Sequence, residues 1–487
     1  MKLSGLLVSI LALTIGLSGA LKIPTKDNVN SNDVPVFVKS LKKLYQGPPK
    51  QHVTTRAEVT TDWITQKLDH FDSAEARTWK MRYMINDEHF KPGGPMFIFV
   101  GGEWDIDASK ISVGHFVDLA KEHNGILFYT EHRYYGESKP TSDLLVENLK
   151  YLNVKQALAD LAHFVEYQRE TVADLANSKV IMAGGSYSAT MVVWFKKLYP
   201  HLLNGGWASS APLLAKLNFH EYMEVAGKSW RLLGGEHCYQ RIQNGIVQLE
   251  QMIKGKQSAE VKAMLKLCNN FDTRNDLDLW TLFSTYGYVL GGTAQYQRDN
   301  DLEVYCDYLM SFEDDLSAMT SLWLMMFQIS SGCVDSTYKT TLAFYADTTY
   351  ASEWARPWYY QTCNEYGWYQ TSASRNQPFG SSFPLDLSTT LCRDAYGPKY
   401  SNSFIQELIE DTNDFFGGMN PQVENVYITH GDLDPWSPMG HGQLEGATML
   451  PNASHCADFG SISPMDSPEM RQSKERLGEL VREWLAD

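Results

Sequence analysis

A short apolar run, Val180-Ile181-Met182-Ala183, stops at Gly184-Gly185-Ser186-Tyr187-Ser188, and Ala189-Thr190-Met191-Val192-Val193-Trp194-Phe195 follows without a gap. That order predicts a strand, a cramped turn and a helix. A turn this tight admits only small side chains two places before and two places after its centre, here Gly184 and Ser188 around Ser186. The helix beyond it aims its first N–H groups, and the positive end of its dipole, at the serine. Such a unit exposes a hydroxyl at the edge of a sheet, so strands interleaved with helices are expected. In isolation a serine beside glycines is also an ordinary loop, and the rest of the chain has to decide.

Where this turn is catalytic, the groups run in the order serine, acid, histidine, with the acid after a late strand and the histidine after the last one. Val426-Tyr427-Ile428-Thr429 reads as a strand leading into His430-Gly431-Asp432-Leu433-Asp434-Pro435-Trp436. Ala447-Thr448-Met449-Leu450 reads as another, followed by Pro451-Asn452-Ala453-Ser454-His455-Cys456-Ala457-Asp458. A closing helix is predicted from Ser467-Pro468-Glu469, with serine as cap, proline at the first position and an acid in the first turn. Asp434 and His455 therefore fall in the two loops that need them. Asp432 is the rival acid; Asp434 is preferred because Pro435 fixes the backbone after it and Trp436 can wall its carboxylate from water. Of the 13 histidines, His441 precedes the last strand and His430 ends its own, so neither competes with His455.

The chemistry follows from these groups. A serine hydroxyl is a poor nucleophile near neutrality, so His455 is expected to take its proton while Asp434 holds the imidazole in the accepting tautomer. The oxyanion formed on attack needs two N–H donors. One is expected from Tyr187, after the nucleophile, and one from the loop after Pro95-Met96-Phe97-Ile98-Phe99-Val100, at Gly102 or Glu103. No cofactor and no metal are called for.

The 487 residues suffice for a large α/β domain with an insertion, and a net charge of −16 disfavours nucleic acid and anionic membranes as partners. Residues 1–20 read as a secretory signal: Lys2, an apolar stretch from Leu6 to Leu17, then Ser18-Gly19-Ala20. No later stretch reaches transmembrane length. Residues 21–55 are polar and proline-bearing, and read as a leader arm or propeptide apart from the core. Strand and helix patterns alternate over 56–212, with strands expected at Trp79–Ile85, Met96–Val100, Ile126–Thr130 and Val180–Ala183. Over 213–415 the chain turns helical and rich in Met, Trp, Tyr and Cys; the α/β pattern then resumes over 416–487. A helical insertion after a sheet strand is expected to cap the site. Six of the seven cysteines lie between Cys238 and Cys392, which suits an oxidising compartment, and Cys456 is expected to be the free thiol.

Longer motifs add a family likeness: Leu68-Asp69-His70-Phe71, Glu131-His132-Arg133-Tyr134-Tyr135-Gly136-Glu137-Ser138, the Gly-Gly-Ser-Tyr turn, Ser209-Ser210-Ala211-Pro212, Tyr360-Gln361-Thr362-Cys363-Asn364-Glu365-Tyr366-Gly367 and Asp434-Pro435-Trp436. The chain resembles the family of lysosomal Pro-X carboxypeptidase, dipeptidyl peptidase 2 and thymus-specific serine protease. Ser188 and Ser454-His455-Cys456 bring it nearest the thymus-specific branch, while Ala189 stands where members usually carry glycine. The resemblance implies an α/β-hydrolase fold, mostly parallel, with a large disulfide-containing helical cap. It maps the triad onto Ser186, Asp434 and His455. It also implies disulfides Cys238–Cys306, Cys268–Cys333 and Cys363–Cys392, and peptide substrates cut beside proline by an exopeptidase of carboxypeptidase or dipeptidyl peptidase type. Glu365 is either a partner for a substrate amine or a structural carboxylate, and Trp436 a substrate contact. A homodimer is left open, and a lysosomal, endosomal or extracellular location is expected. The rival readings are a secreted esterase or lipase on the same triad and an inactive hydrolase fold used for binding.

Overall fold

In the computed structural model, the described residues are 35–44, 47–49, 58–298, 300–329, 332–352 and 354–486. The predicted signal, residues 1–20, lies outside them, as do 21–34, 45–46 and 50–55 of the predicted arm. Ten strands are described: β1 (Thr60–Lys67), β2 (Thr78–Asn86), β3 (Met96–Val100), β4 (Ile126–Thr130), β5 (Val180–Gly185), β6 (Gly205–Ser209), β7 (Lys216–Asn218), β8 (Gly367–Tyr369), β9 (Val426–Gly431) and β10 (Thr448–Leu450). Eight make one sheet in the order β1-β2-β4-β3-β5-β6-β9-β10, while β7 and β8 pair by themselves. β1 and β2 are antiparallel to their neighbours, and every pairing from β4 to β10 is parallel. This is a mostly parallel α/β-hydrolase sheet with an antiparallel edge.

The central strands are apolar without alternation because helices cover both faces. All residues of β3, β4 and β5 are buried. On one face Phe97, Phe99, Tyr129 and Trp207 pack with Phe116 of the helix His115–Glu122 and with Val481 and Trp484 of the closing helix Pro468–Ala486. On the other, Phe164 of the helix Val154–Thr171 meets Phe128 and Tyr83 edge-on. β6 begins with two glycines, which offer no strand propensity. Its place is set by packing: the Trp484 indole lies so close over Gly205 that a β-carbon there would come within 2.0 Å of the ring.

Between β6 and β9 the chain builds helices from Glu221–Gly234 through Asn402–Phe416, including the long Asp276–Gln295. Cys238–Cys306, Cys268–Cys333 and Cys363–Cys392 are joined inside this segment, the pairs the family spacing implies, and Cys456 is a free, buried thiol. Among the described residues no helix is long and apolar enough to cross a membrane.

The arm departs from expectation. Its described part is packed on the body rather than standing apart. The helix Val36–Leu44 lies against Asp276–Gln295, with the Phe37 ring buried 5.6 Å from that of Tyr288. Further on, the Trp104 ring covers Gly47, Pro48 rests on Gly185 beside the turn serine, and the Lys110 ammonium donates to the Pro49 carbonyl. Among the arm's described side chains Pro35, Val36, Phe37, Val38 and Ser40 are buried, a mostly apolar run that the prolines and polar flanks of this stretch mask.

Candidate active site

Ser186 sits in the turn from β5 into the helix Tyr187–Leu198 at φ 60°, ψ −133°. This strained backbone raises its side chain above the sheet edge. The turn is held by a hydrogen bond from Ser186 N–H to Ser209 O at 3.0 Å. A β-carbon at Gly184 would come within 2.4 Å of the Ser188 carbonyl oxygen, so the strand can approach the helix only with glycine there. Ser188, where many such turns carry glycine, is accommodated by its own hydroxyl. That hydroxyl accepts from Gly185 N–H at 2.9 Å and donates to Gly185 O at 3.0 Å. Ala189 is fully buried and donates its N–H to Ser186 O at 2.9 Å.

Asp434 follows β9 and His455 follows β10, on neighbouring parallel strands whose ends share one rim of the sheet with β5. Both oxygens of Asp434 lie 2.9 Å from His455 Nδ1, and both side chains are fully buried. Trp436 N–H donates to Asp434 Oδ1 at 2.9 Å, which fixes the carboxylate's orientation. Burial opposes charge on each partner, but each outweighs it for the other: the Asp434 pKa stays below the ordinary carboxylate value, and that of His455 is raised. Asp432 points elsewhere; its half-exposed carboxylate accepts from Asn452 N–H. His430 is buried, neither ring nitrogen has a hydrogen-bond partner among the described residues, and burial lowers its pKa to about 4, so it is a neutral scaffold residue.

His455 Nε2 is buried and makes no hydrogen bond among the described residues. Asp434 and His455 are thus joined, whereas the Ser186 hydroxyl is not bonded to the imidazole in this state. The loops of both residues share an anchor, the end of β6: Ser209 O takes Ser186 N–H, and Ser210 Oγ takes Cys456 N–H at 2.9 Å. Asp458 ties the same strand end to β9 through Ser209 Oγ and Thr429 Oγ1, each at 2.5 Å.

The loop after β3 carries Gly102 and Glu103. Trp104 donates its indole N–H to Tyr129 Oη at 2.7 Å and folds its ring over Gly102. The Glu103 carboxyl is also placed here, buried, within electrostatic reach of His455 and with no partner for Oε2 among the described residues; burial pushes its pKa up to about 8. Sequence reasoning considered only the N–H of this residue. Tyr187 is locked by its hydroxyl, which meets His132 Nε2, Gln361 Nε2 and Tyr366 Oη, each at 3.1 Å. Sequence reasoning missed that hub, although His132, Gln361 and Tyr366 lie inside the motifs that carry the family likeness. Glu365 accepts from Val154 N–H at 2.9 and 3.3 Å, at the start of the helix Val154–Thr171, and burial raises its pKa to about 7. Trp436 is buried, with its indole N–H donated to Gln295 Oε1 at 3.0 Å and its ring 6.3 Å from that of His455.

The model of the family described as serine carboxypeptidase S28 matches residues 66–477, a span that includes Ser186, Asp434 and His455. The thymus-specific serine protease of Mus musculus is 29% identical over 453 residues, 87% of this chain and 87% of its own. The human thymus-specific serine protease is 28% identical, with 87% and 86% covered. The lysosomal Pro-X carboxypeptidase of Bos taurus is 26% identical, with 87% and 88% covered. With a paired acid and histidine beside a strained serine turn, and a family match over most of its length, the chain belongs to the serine carboxypeptidase S28 family and is a serine peptidase.

Proposed function

We propose that Ser186, His455 and Asp434 form the triad of an exopeptidase that cuts peptide bonds next to proline. The observation that carries this reading is the buried Asp434–His455 pair, whose open Nε2 lies on the sheet rim that bears Ser186. Ser186 Oγ attacks the carbonyl carbon as His455 takes its proton. The tetrahedral oxyanion is held by Tyr187 N–H and an N–H at Gly102 or Glu103. The proton then passes to the leaving amine, and water releases the acyl group by the same steps in reverse. The raised His455 pKa implies activity that climbs with pH as the imidazole loses its proton.

The helical segment 213–415 is read as a cap that selects substrates, and residues 21–55 as a propeptide. The contact of Pro48 with Gly185, next to the nucleophile, supports the latter. Glu365 is assigned a structural role, since its carboxylate is already engaged by Val154 N–H. Disulfides and the likeness to a lysosomal relative support a secretory or lysosomal location. Fluorophosphonate labelling tests the triad: wild-type protein is expected to take the probe and Ser186→Ala to refuse it, and labelling of both would overturn the assignment. A mixed peptide library incubated with the protein then separates carboxypeptidase from dipeptidyl peptidase, by which terminus is trimmed beside proline. Internal cuts would refute exopeptidase action.

A further inference from the structure

The loop bearing His455 is irregular up to Cys456, where a short 3-10 turn, Ala457–Phe459, begins. It passes through Cys456 in a left-handed conformation at φ 51°, and besides the Asp434 and Ser210 contacts it has a third support. Four consecutive residues at the end of the helix Asp276–Gln295 meet it, more than 150 positions away in the chain. His455 N–H donates to Gln295 O at 3.0 Å. His455 O accepts from Arg298 Nη2 at 3.0 Å. Both main-chain groups of the histidine are therefore held by the helical segment and not by the sheet. Ser454 Oγ donates to Gln297 O at 2.8 Å and accepts from Arg298 Nη1. The Tyr296 ring stands edge-on to the imidazole, 5.7 Å away at 80°. The acid loop is gripped as well, since Gln295 Oε1 accepts from the Trp436 indole at 3.0 Å and from Tyr222 Oη at 2.6 Å.

We propose that Gln295-Tyr296-Gln297-Arg298 is a clamp that sets the position of His455, with Arg298 as its principal positioning residue. The proposal rests on the triad reading above. The planar guanidinium suits the task because it offers several donors in a fixed fork, reaching a side-chain hydroxyl and a main-chain carbonyl together; an ammonium is a single point charge on a flexible stem. The helical segment then does more than admit substrates. It completes the geometry that lets Nε2 reach the serine proton.

The test uses the full chain, with Ser186 titrated by a small fluorophosphonate and hydrolysis followed on a proline-containing reporter peptide. Wild-type labelling with silent Ser186→Ala establishes the triad independently; failure at that point is failure of the triad and not of the clamp. Arg298→Met is then expected to lower kcat about 10- to 100-fold, the scale of an ångström of misplacement. KM should stay within about two-fold, labelling should slow by the same factor as kcat, and Arg298→Lys should recover part of the loss. If Arg298→Met is not secreted, Ser454→Ala, which deletes the shared hydroxyl, is expected to show the same signature with a smaller factor. Unchanged kcat and labelling, or a loss confined to KM, would overturn the clamp.

Discussion

Replacing Asp434 by asparagine leaves the shape of the site intact and changes the proton it can hold. In the native protein both carboxylate oxygens lie 2.9 Å from His455 Nδ1, so this nitrogen carries the hydrogen and Nε2 keeps the lone pair. Trp436 N–H already donates to Oδ1. That contact favours the asparagine oxygen at the Oδ1 position and puts its NH₂ group at the Oδ2 position, which is also 2.9 Å from Nδ1 and places a second donor against the N–H there. The imidazole then accepts at Nδ1 and carries its hydrogen on Nε2, the nitrogen that must receive the Ser186 proton. A wrong tautomer at a serine triad costs about 10⁴-fold in kcat, or about 5 kcal/mol of transition-state stabilisation at 1.36 kcal/mol per decade. The pH profile should move too. Asp434 raises the His455 pKa against burial, while Glu103 and Cys456 also act on the imidazole. Removing the aspartate charge lowers the pKa, so the rising limb of residual activity shifts to lower pH. The assay is kcat and KM against pH on a proline-containing peptide, with circular dichroism to verify folding. A folded Asp434→Asn enzyme within ten-fold of wild type would refute the role assigned to this carboxylate.

Two further outcomes are expected. Arg133 is fully buried and holds Asp160 through two bonds, at 2.7 and 2.8 Å, while donating to Leu68 O and Tyr151 O. Arg133→Met leaves that buried carboxylate with only the His70 imidazole beside it, at 2.7 Å, and should cost about 3 kcal/mol in a denaturant melt. Burial would raise the Asp160 pKa, but Arg133, with His70 as a second partner, holds it below the ordinary carboxylate value of 3.8. The pair therefore stabilises above that value and loses its effect as pH falls through the depressed pKa. The gap between wild type and variant should accordingly narrow in acid, and a constant gap would contradict the ion-pair account. For the propeptide reading, a specific protease site placed within residues 50–57 and cut after purification should speed fluorophosphonate labelling of Ser186; equal rates before and after the cut would dismiss it.

The parts of the site that lie within local motifs are legible in the sequence. Small residues around Ser186 announce the turn, and the order of late strands points to the loops of Asp434 and His455. The choice of Asp434 over Asp432 rests on Pro435 and on the Trp436 ring; the main-chain N–H of residue 436, which orients the carboxylate, is one that any residue but proline would supply. β3, β4 and β5 are readable because strands buried on both faces become unbroken apolar runs. β6 is not, because Gly205 and Gly206 serve close packing under Trp484 and beside Val192 and carry no strand signal. The grip of Gln295 and Arg298 on His455 is invisible for another reason. Contacts formed between distant segments leave no periodicity in either, and a glutamine or arginine at a helix end reads as solvated surface. The Glu103 carboxyl is hidden similarly, since nothing in its own neighbourhood in the sequence announces that it is buried within electrostatic reach of His455.

All three cross-links begin and end inside the helical segment, and among the described residues none reaches the strands beneath it. Covalent stiffness therefore stops at that boundary. On the other side of it, the sheet rim depends on packing and hydrogen bonds alone, so a reductant would act first on the helical segment. Since Gln295 and Arg298 of the same segment hold both main-chain groups of His455, loosening its cross-links would be felt at the imidazole from a distance.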